Sequence, residues 1–179
     1  MSLPLVYASH DGHTRKIVAR LAERLAALDT PAVVYDLDVA APEADKIKKA
    51  SAVIIVSPVR HGRHLPKVEK FVSKNKATLK KQNLVLVSIN LTARKEDKNT
   101  PETNPYMRKW IERHKLKPAL GAVFAGMLDY PRYAWWERQM IRFIMLLTGG
   151  PTDGKASVDY TPWEKVDALA KRIAKLCEK

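Results

Sequence analysis

One cysteine, Cys177, stands in a chain of 179 residues. That count excludes a disulfide framework, a paired-thiolate metal site and a dithiol redox centre. Electron chemistry would have to come from a bound cofactor, and a reducing compartment suits the chain. Acidic side chains are scarce as well: 19 Asp and Glu stand against 32 Lys and Arg, a formal net charge of +13 at pH 7. An excess of this size calls for an anionic partner such as nucleic acid, lipid headgroups or a carboxylate-bearing substrate, and charge alone does not choose among them. No uninterrupted apolar stretch reaches the roughly 20 residues that cross a bilayer. The first apolar run, residues 3–8, is too short for a signal-peptide core and reads as a strand. With 46% hydrophobic and 28% charged residues, the composition is that of a soluble globular protein. A single domain over residues 1–179 is the expectation at this length.

What is present is an alternation of two periodicities. Ile17, Leu21, Leu25 and Leu28 mark a helix over 14–28, followed by a strand at 32–35 and a short polar helix at 42–50. Residues 52–56 form a nearly continuous apolar run, as in parallel strands covered on both faces. A helix over 66–76 buries Val68, Phe71 and Val72, and 84–89 forms the next buried strand. Asn104 followed by Pro105 predicts a helix cap and first-turn proline for a helix carrying Tyr106, Trp110 and Ile111. A further strand covers 122–127. Thr161-Pro162-Trp163-Glu164 predicts a capping box opening a last helix with Val166, Leu169, Ile173 and Leu176 as its core stripe. Such alternation predicts a doubly wound α/β protein with five parallel strands and helices on both faces. Ligands bind such sheets beyond the carboxyl ends of the strands, where the loops at 9–14, 57–64 and 90–95 would converge.

The first of these loops carries the sharpest chemical signal. In Val6-Tyr7-Ala8-Ser9-His10-Asp11-Gly12-His13-Thr14 a strand passes through a hydroxyl-and-glycine turn directly into a helix. A helix start offers unpaired N–H groups and partial positive charge, so this layout can cradle a phosphate. Ser9, Asp11 and Thr14 supply side-chain hydrogen-bonding groups, and Gly12 allows close backbone approach. The second loop is Ser57-Pro58-Val59-Arg60-His61-Gly62-Arg63-His64, and the third is Asn90-Leu91-Thr92-Ala93-Arg94-Lys95. His61 and His64 lack the further ligands that a metal would need, so no metal is expected.

Residues 129–157 exceed what a strand-to-helix connection requires, which favours a functional role. This insert reads as an amphipathic helix ending at Gly149-Gly150 and interrupting the last strand region. Arg132, Tyr133, Trp135, Trp136, Arg138, Arg142 and Phe143 combine aromatic rings with guanidinium groups, a mixture suited to a helix lying in an anionic membrane interface. The competing reading is a core or dimer-interface helix.

The Ser-x-x-Gly-x-Thr pattern followed by Ala19 resembles the FMN-phosphate loop of flavodoxins, whose strand order is 2-1-3-4-5. Taken with Arg60-His61-Gly62, the asparagine loop with Thr100-Pro101-Glu102-Thr103-Asn104, Tyr130-Pro131-Arg132-Tyr133, and Gly149-Gly150 before Thr152-Asp153, the chain resembles the flavodoxin-type, quinone-dependent protoporphyrinogen IX oxidase family of bacterial haem synthesis. Pro151 and Asp129 are local departures from that pattern. The resemblance implies one FMN, held by residues 9–14, 57–62 and 90–94, with flavin N5 rather than a catalytic side chain doing the chemistry. It implies oxidation of protoporphyrinogen IX, with electrons passed to menaquinone or ubiquinone. Arg60, Arg63 and Arg94 are then the candidate partners of the substrate propionates. It also implies a peripheral protein on the cytoplasmic face of the inner membrane, or on the mitochondrial inner membrane in a eukaryote. A homo-oligomer is left open. The main rival is an NAD(P)H-quinone reductase of the same fold. A plain flavodoxin would lack the aromatic insert, and a nucleic-acid-binding domain would leave three sheet-end loops without a purpose.

Overall fold

The computed structural model describes residues 2–178. In chain order its main elements are β1 (Leu3–Tyr7), α1 (His13–Ala26), β2 (Ala32–Asp36), α2 (Ala44–Lys49), β3 (Ala52–Arg60), β4 (Arg63–His64), α3 (Pro66–Leu79), β5 (Asn83–Ile89), α4 (Pro105–His114), β6 (Leu120–Phe124), β7 (Met127–Asp129), α5 (Trp135–Thr148), β8 (Ser157–Asp159) and α6 (Trp163–Cys177). Five strands form the sheet β2-β1-β3-β5-β6, all parallel. This is the expected order once the short β4 is set aside.

Side-chain alternation explains why the strands are apolar almost throughout. Leu3, Leu5, Ile54 and Val56 face α1 and α6, meeting Ile17, Leu21, Val166 and Ile173. Val6, Val53 and Ile55 face the other layer and pack with Val68, Val72, Met107 and Trp110. Outside the first layer Arg20 holds Asp167 bidentately, at 2.8 and 2.9 Å, tying α1 to α6. Asn104 caps α4 as expected, its Oδ1 accepting from the N–H groups of Tyr106 and Met107 at 3.1 and 3.2 Å.

Three expectations need correction. The strand expected to end at Val56 runs on to Arg60 and folds back as a hairpin, with Val59 opposite His64 and Arg60 opposite Arg63. His61 and Gly62 form its two-residue turn at φ 50° and 79°, the left-handed pair that a type I′ turn requires. The strand expected at 122–127 divides. β6 stops at Phe124, whose carbonyl accepts the Asn90 N–H at 3.0 Å, and β7 pairs antiparallel with β8 in a separate ribbon, Asp129 standing opposite Ser157. Thr161 does not cap α6. Pro162 occupies the cap position without a side-chain bond, because the Thr161 hydroxyl is taken by His13 Nε2 at 2.7 Å.

Candidate active site

The three loops meet at the carboxyl edge of the sheet around a cavity of about 660 Å3, within the ordinary range for small-molecule sites. β1 is buried along its whole length, which fixes where the chain leaves the sheet. Gly12 then turns the backbone at φ 79° into α1. Its N–H donates to Ser9 Oγ at 3.1 Å. No side chain caps α1 and no acidic residue sits in its first turn, so the positive start of the helix is left for another anion. His10, Asp11, His13 and Thr14 line the cavity here, while Ser9 stands behind the turn it braces. Burial pushes the His13 imidazole below its ordinary range, and its Nδ1 is buried without a partner.

From the second loop, Pro58, Val59, Arg60, His61 and Gly62 line the cavity. Ser57 is buried and accepts the Leu65 N–H at 3.2 Å. Arg60 pairs with Glu137 on α5 and reaches Asp11 at 3.5 Å. His61 Nε2 lies 3.3 Å from Glu137, and its ring approaches Trp136 at 5.4 Å. Burial pushes the Glu137 carboxyl up, but the Ala134 N–H and the Arg60 guanidinium outweigh it and hold the group below the usual range. Arg63 is exposed on the outer leg of the hairpin and does not line the cavity. His64 points away from His61 into the core, where it meets Ser88 Oγ at 2.8 Å and stacks on Trp110 at 3.9 Å.

Asn90, Leu91, Thr92 and Arg94 line the third side; Ala93 is buried behind them. The Asn90 amide is used internally. It bonds to Ser88 and Asn104 and accepts the Ala93 N–H at 3.2 Å, leaving the loop's backbone as its ligand-facing part. Arg94 is also occupied, donating to the Leu91 carbonyl at 3.2 Å and to Thr148 Oγ1 at 2.6 Å.

The insert supplies the fourth wall. Met140, Ile141, Ile144, Met145 and Thr148 of α5 line the cavity together with Tyr133. Burial raises the Tyr133 phenol above its ordinary value. Tyr130 is fully buried and donates to the Pro151 carbonyl at 2.7 Å. The arginines expected to face lipid fold back onto the protein: Arg132 donates to the Asp11 carbonyl at 2.7 Å and pairs with Asp129 at 3.0 Å, Arg138 reaches the Tyr133 carbonyl, and Arg142 donates to that of Thr152 at 2.8 Å. The outward face is mostly apolar, with Gln139 and Arg142 as its exposed polar residues. Trp135 is 75% exposed, Leu146 and Leu147 69%, and Phe143 61%, with Trp136 beside them. The cavity-facing side of α5, Glu137, Tyr106, Lys95 and Lys98 were not singled out from sequence. The i, i+4 set Ile141, Met145 was the available signal for the first of these, hidden by an outer face equally apolar.

A parallel sheet of this order, with an uncapped helix start at its switch point, is the architecture of flavodoxin-like α/β proteins. The chain belongs to that family: residues 4–155 match the Flavodoxin domain. It is similar to protoporphyrinogen IX dehydrogenase (quinone) of Escherichia coli strain K12, with 37% identity over 179 residues, covering 100% of this chain and 98% of that protein. The protein of the same name from Leishmania major is 36% identical over 173 residues, covering 96% of this chain and 74% of its own length. Among solved structures, an archaeal flavodoxin superposes with TM-score 0.55 at 14% identity, covering 100% of each chain. Oxidised flavodoxin 1 from Bacillus cereus gives 0.58 at 12% identity, covering 98% of each chain. At such identities these two establish the fold alone.

Proposed function

We infer that this protein is an FMN-dependent dehydrogenase of protoporphyrinogen IX that delivers electrons to a membrane quinone. The observation that carries the reading is the composition of one cavity: a phosphate-ready helix start on one wall and the apolar inner face of α5 opposite it. A simple electron carrier has no need of that second wall. The residues present fit a flavin mononucleotide. The uncapped α1 start and Thr14 would take the phosphate, the hairpin tip and the 90–94 turn would flank the ring, and open space lies beside Gly12, where a built Cβ meets nothing within 4 Å.

Flavin supplies the two-electron acceptor at N5 for each oxidation step. The protein binds, orients and excludes water. Arg60, neutralised by Glu137 and Asp11, fastens the roof helix to the cofactor loops rather than standing free. Met140, Ile141 and Ile144 give a macrocycle or quinone ring an apolar surface to lie on, and Tyr133 and Glu137 place a protonated phenol and an ionised carboxylate along the same wall.

The outward face of α5 gives poorly soluble reactants a route in. Its 14 residues extend about 21 Å, short of the roughly 30 Å of a bilayer core, and no helix among the described residues is long and apolar enough to cross a membrane. Lying in the plane of an anionic membrane, with Trp135, Trp136 and Phe143 at headgroup depth, α5 would bring the cavity to the interface. The chain's basic surplus would assist.

The deciding experiment is anaerobic. Purified yellow protein, mixed with protoporphyrinogen IX and menaquinone or ubiquinone, should form fluorescent protoporphyrin and quinol. Colourless protein that takes up no FMN would sink the reading, and rapid bleaching by NADH or NADPH without porphyrin formation would transfer it to an NAD(P)H-quinone reductase.

A further inference from the structure

The charged groups lining the cavity are unevenly distributed. Its two carboxylates, Asp11 and Glu137, both contact Arg60, so the cation of that corner is already paired. Arg94 faces no carboxylate, but its two terminal nitrogens hold the Leu91 carbonyl and Thr148, which ties it to the turn and to α5. Two further cations line the cavity, Lys95 and Lys98. Both are half-buried, and among the described residues neither ammonium group makes an ion pair or hydrogen bond. Glu96 and Asp97, which separate them, are exposed and do not line the cavity.

The backbone beneath these lysines is firmly held. The Lys95 N–H donates to the Thr92 carbonyl at 3.2 Å and the Lys98 N–H to the Lys95 carbonyl at 3.0 Å. The Lys98 carbonyl accepts from the Nδ2 of Asn104 at 2.9 Å. Asn104 is fully buried and bonds in turn to Asn90. A fixed turn thus presents two unpaired ammonium groups, three residues apart, to a chamber that α5 lines with apolar side chains. Free cations in a partly desolvated site attract carboxylates strongly, and a fixed turn lowers the ordering cost of capturing them.

We propose that Lys95 and Lys98 form the carboxylate-recognition site of this enzyme, receiving the two propionates of the porphyrinogen while Arg60 and Arg94 keep their structural partners. This rests on the functional reading above and narrows it: the turn at 95–98 selects a dicarboxylate macrocycle over neutral ring systems that would fit the same apolar wall.

The test compares wild type with Lys95→Met/Lys98→Met on protoporphyrinogen IX and on its dimethyl ester, in one detergent with a fixed quinone. Wild type should prefer the diacid. Each lysine lost should lower kcat/KM for the diacid by about tenfold, the value of a charge-assisted hydrogen bond, with the loss falling in KM. The double variant should treat diacid and diester alike and keep its full FMN content, and Lys95→Arg/Lys98→Arg should recover most of the preference. A double variant that still prefers the diacid, or one that loses FMN instead, overturns the proposal. Failure of wild type to oxidise either porphyrinogen removes the functional reading itself, and this inference with it.

Discussion

Lowering the pH from 7 to 5 should destabilise the folded protein by about 2 kcal/mol, most of it through His64. This imidazole is 3% exposed, stacked on Trp110 and bonded to Ser88. Burial, with Arg113 and His114 nearby, pushes its pKa from 6.5 down to about 3. The unfolded chain takes up a proton near 6.5 and the folded one only near 3, so across that window unfolding binds a proton. Stability is therefore fully present above about 6.5 and declines as the pH falls, at about 1.4 kcal/mol per pH unit. At pH 5 the loss comes to about 2 kcal/mol. With a urea m-value of about 2 kcal/mol/M, the midpoint should drop by about 1 M, read by far-ultraviolet circular dichroism with FMN in excess. His64→Gln cannot titrate, so its midpoint should move by less than half as much between the two pH values, whatever its stability at pH 7. His13, also lowered by burial, leaves a residual slope of the same sign. Equal midpoint shifts in wild type and variant would refute the assignment.

Ser9→Ala combined with Thr14→Ala should weaken FMN binding by about tenfold or more, measured by flavin fluorescence titration; an unchanged Kd would contradict the phosphate assignment. Glu137→Gln should cost about 1–2 kcal/mol by leaving the half-buried Arg60 without its full counter-charge, seen as a melting temperature lowered by several degrees and faster proteolysis within 129–157. Phe143→Ser with Leu147→Ser, four residues apart on the outer face of α5, should reduce flotation with vesicles containing anionic phospholipid by at least tenfold while leaving FMN content unchanged.

Where burial alone decides conformation, the chain was readable. Residues 52–56 and 84–89 are central strands because a run of β-branched and aliphatic side chains can be covered on both faces, and the Asn104-Pro105 helix start follows from local bonding alone. The errors lie where a distant partner takes over a local group. Thr161 looks like a cap until His13, far away in sequence, engages its hydroxyl. Arg132 looks like a lipid contact from sequence, and its guanidinium donates to the distant Asp11 carbonyl; Arg138 and Arg142 hold the nearer carbonyls of Tyr133 and Thr152. The hairpin at 59–64 carried a local cue in His61-Gly62, masked by reading the stretch as a ligand loop. The insert was legible as a helix but not as a wall, because α5 is apolar on both sides and periodicity cannot say which side meets the sheet.

The ribbon formed by β7 and β8 sets Asp129 directly across from Ser157, so the excursion that carries α5 leaves and rejoins the ribbon at almost the same point. Changes of length between them therefore leave the register of the strands that carry the cofactor loops untouched, and what they alter is the clasp of α5 on those loops. A tight turn joining those two positions would give a protein without the fourth wall, and transplanting the excursion onto a short-chain relative would be the direct way to ask whether a new substrate can be acquired by adding one piece.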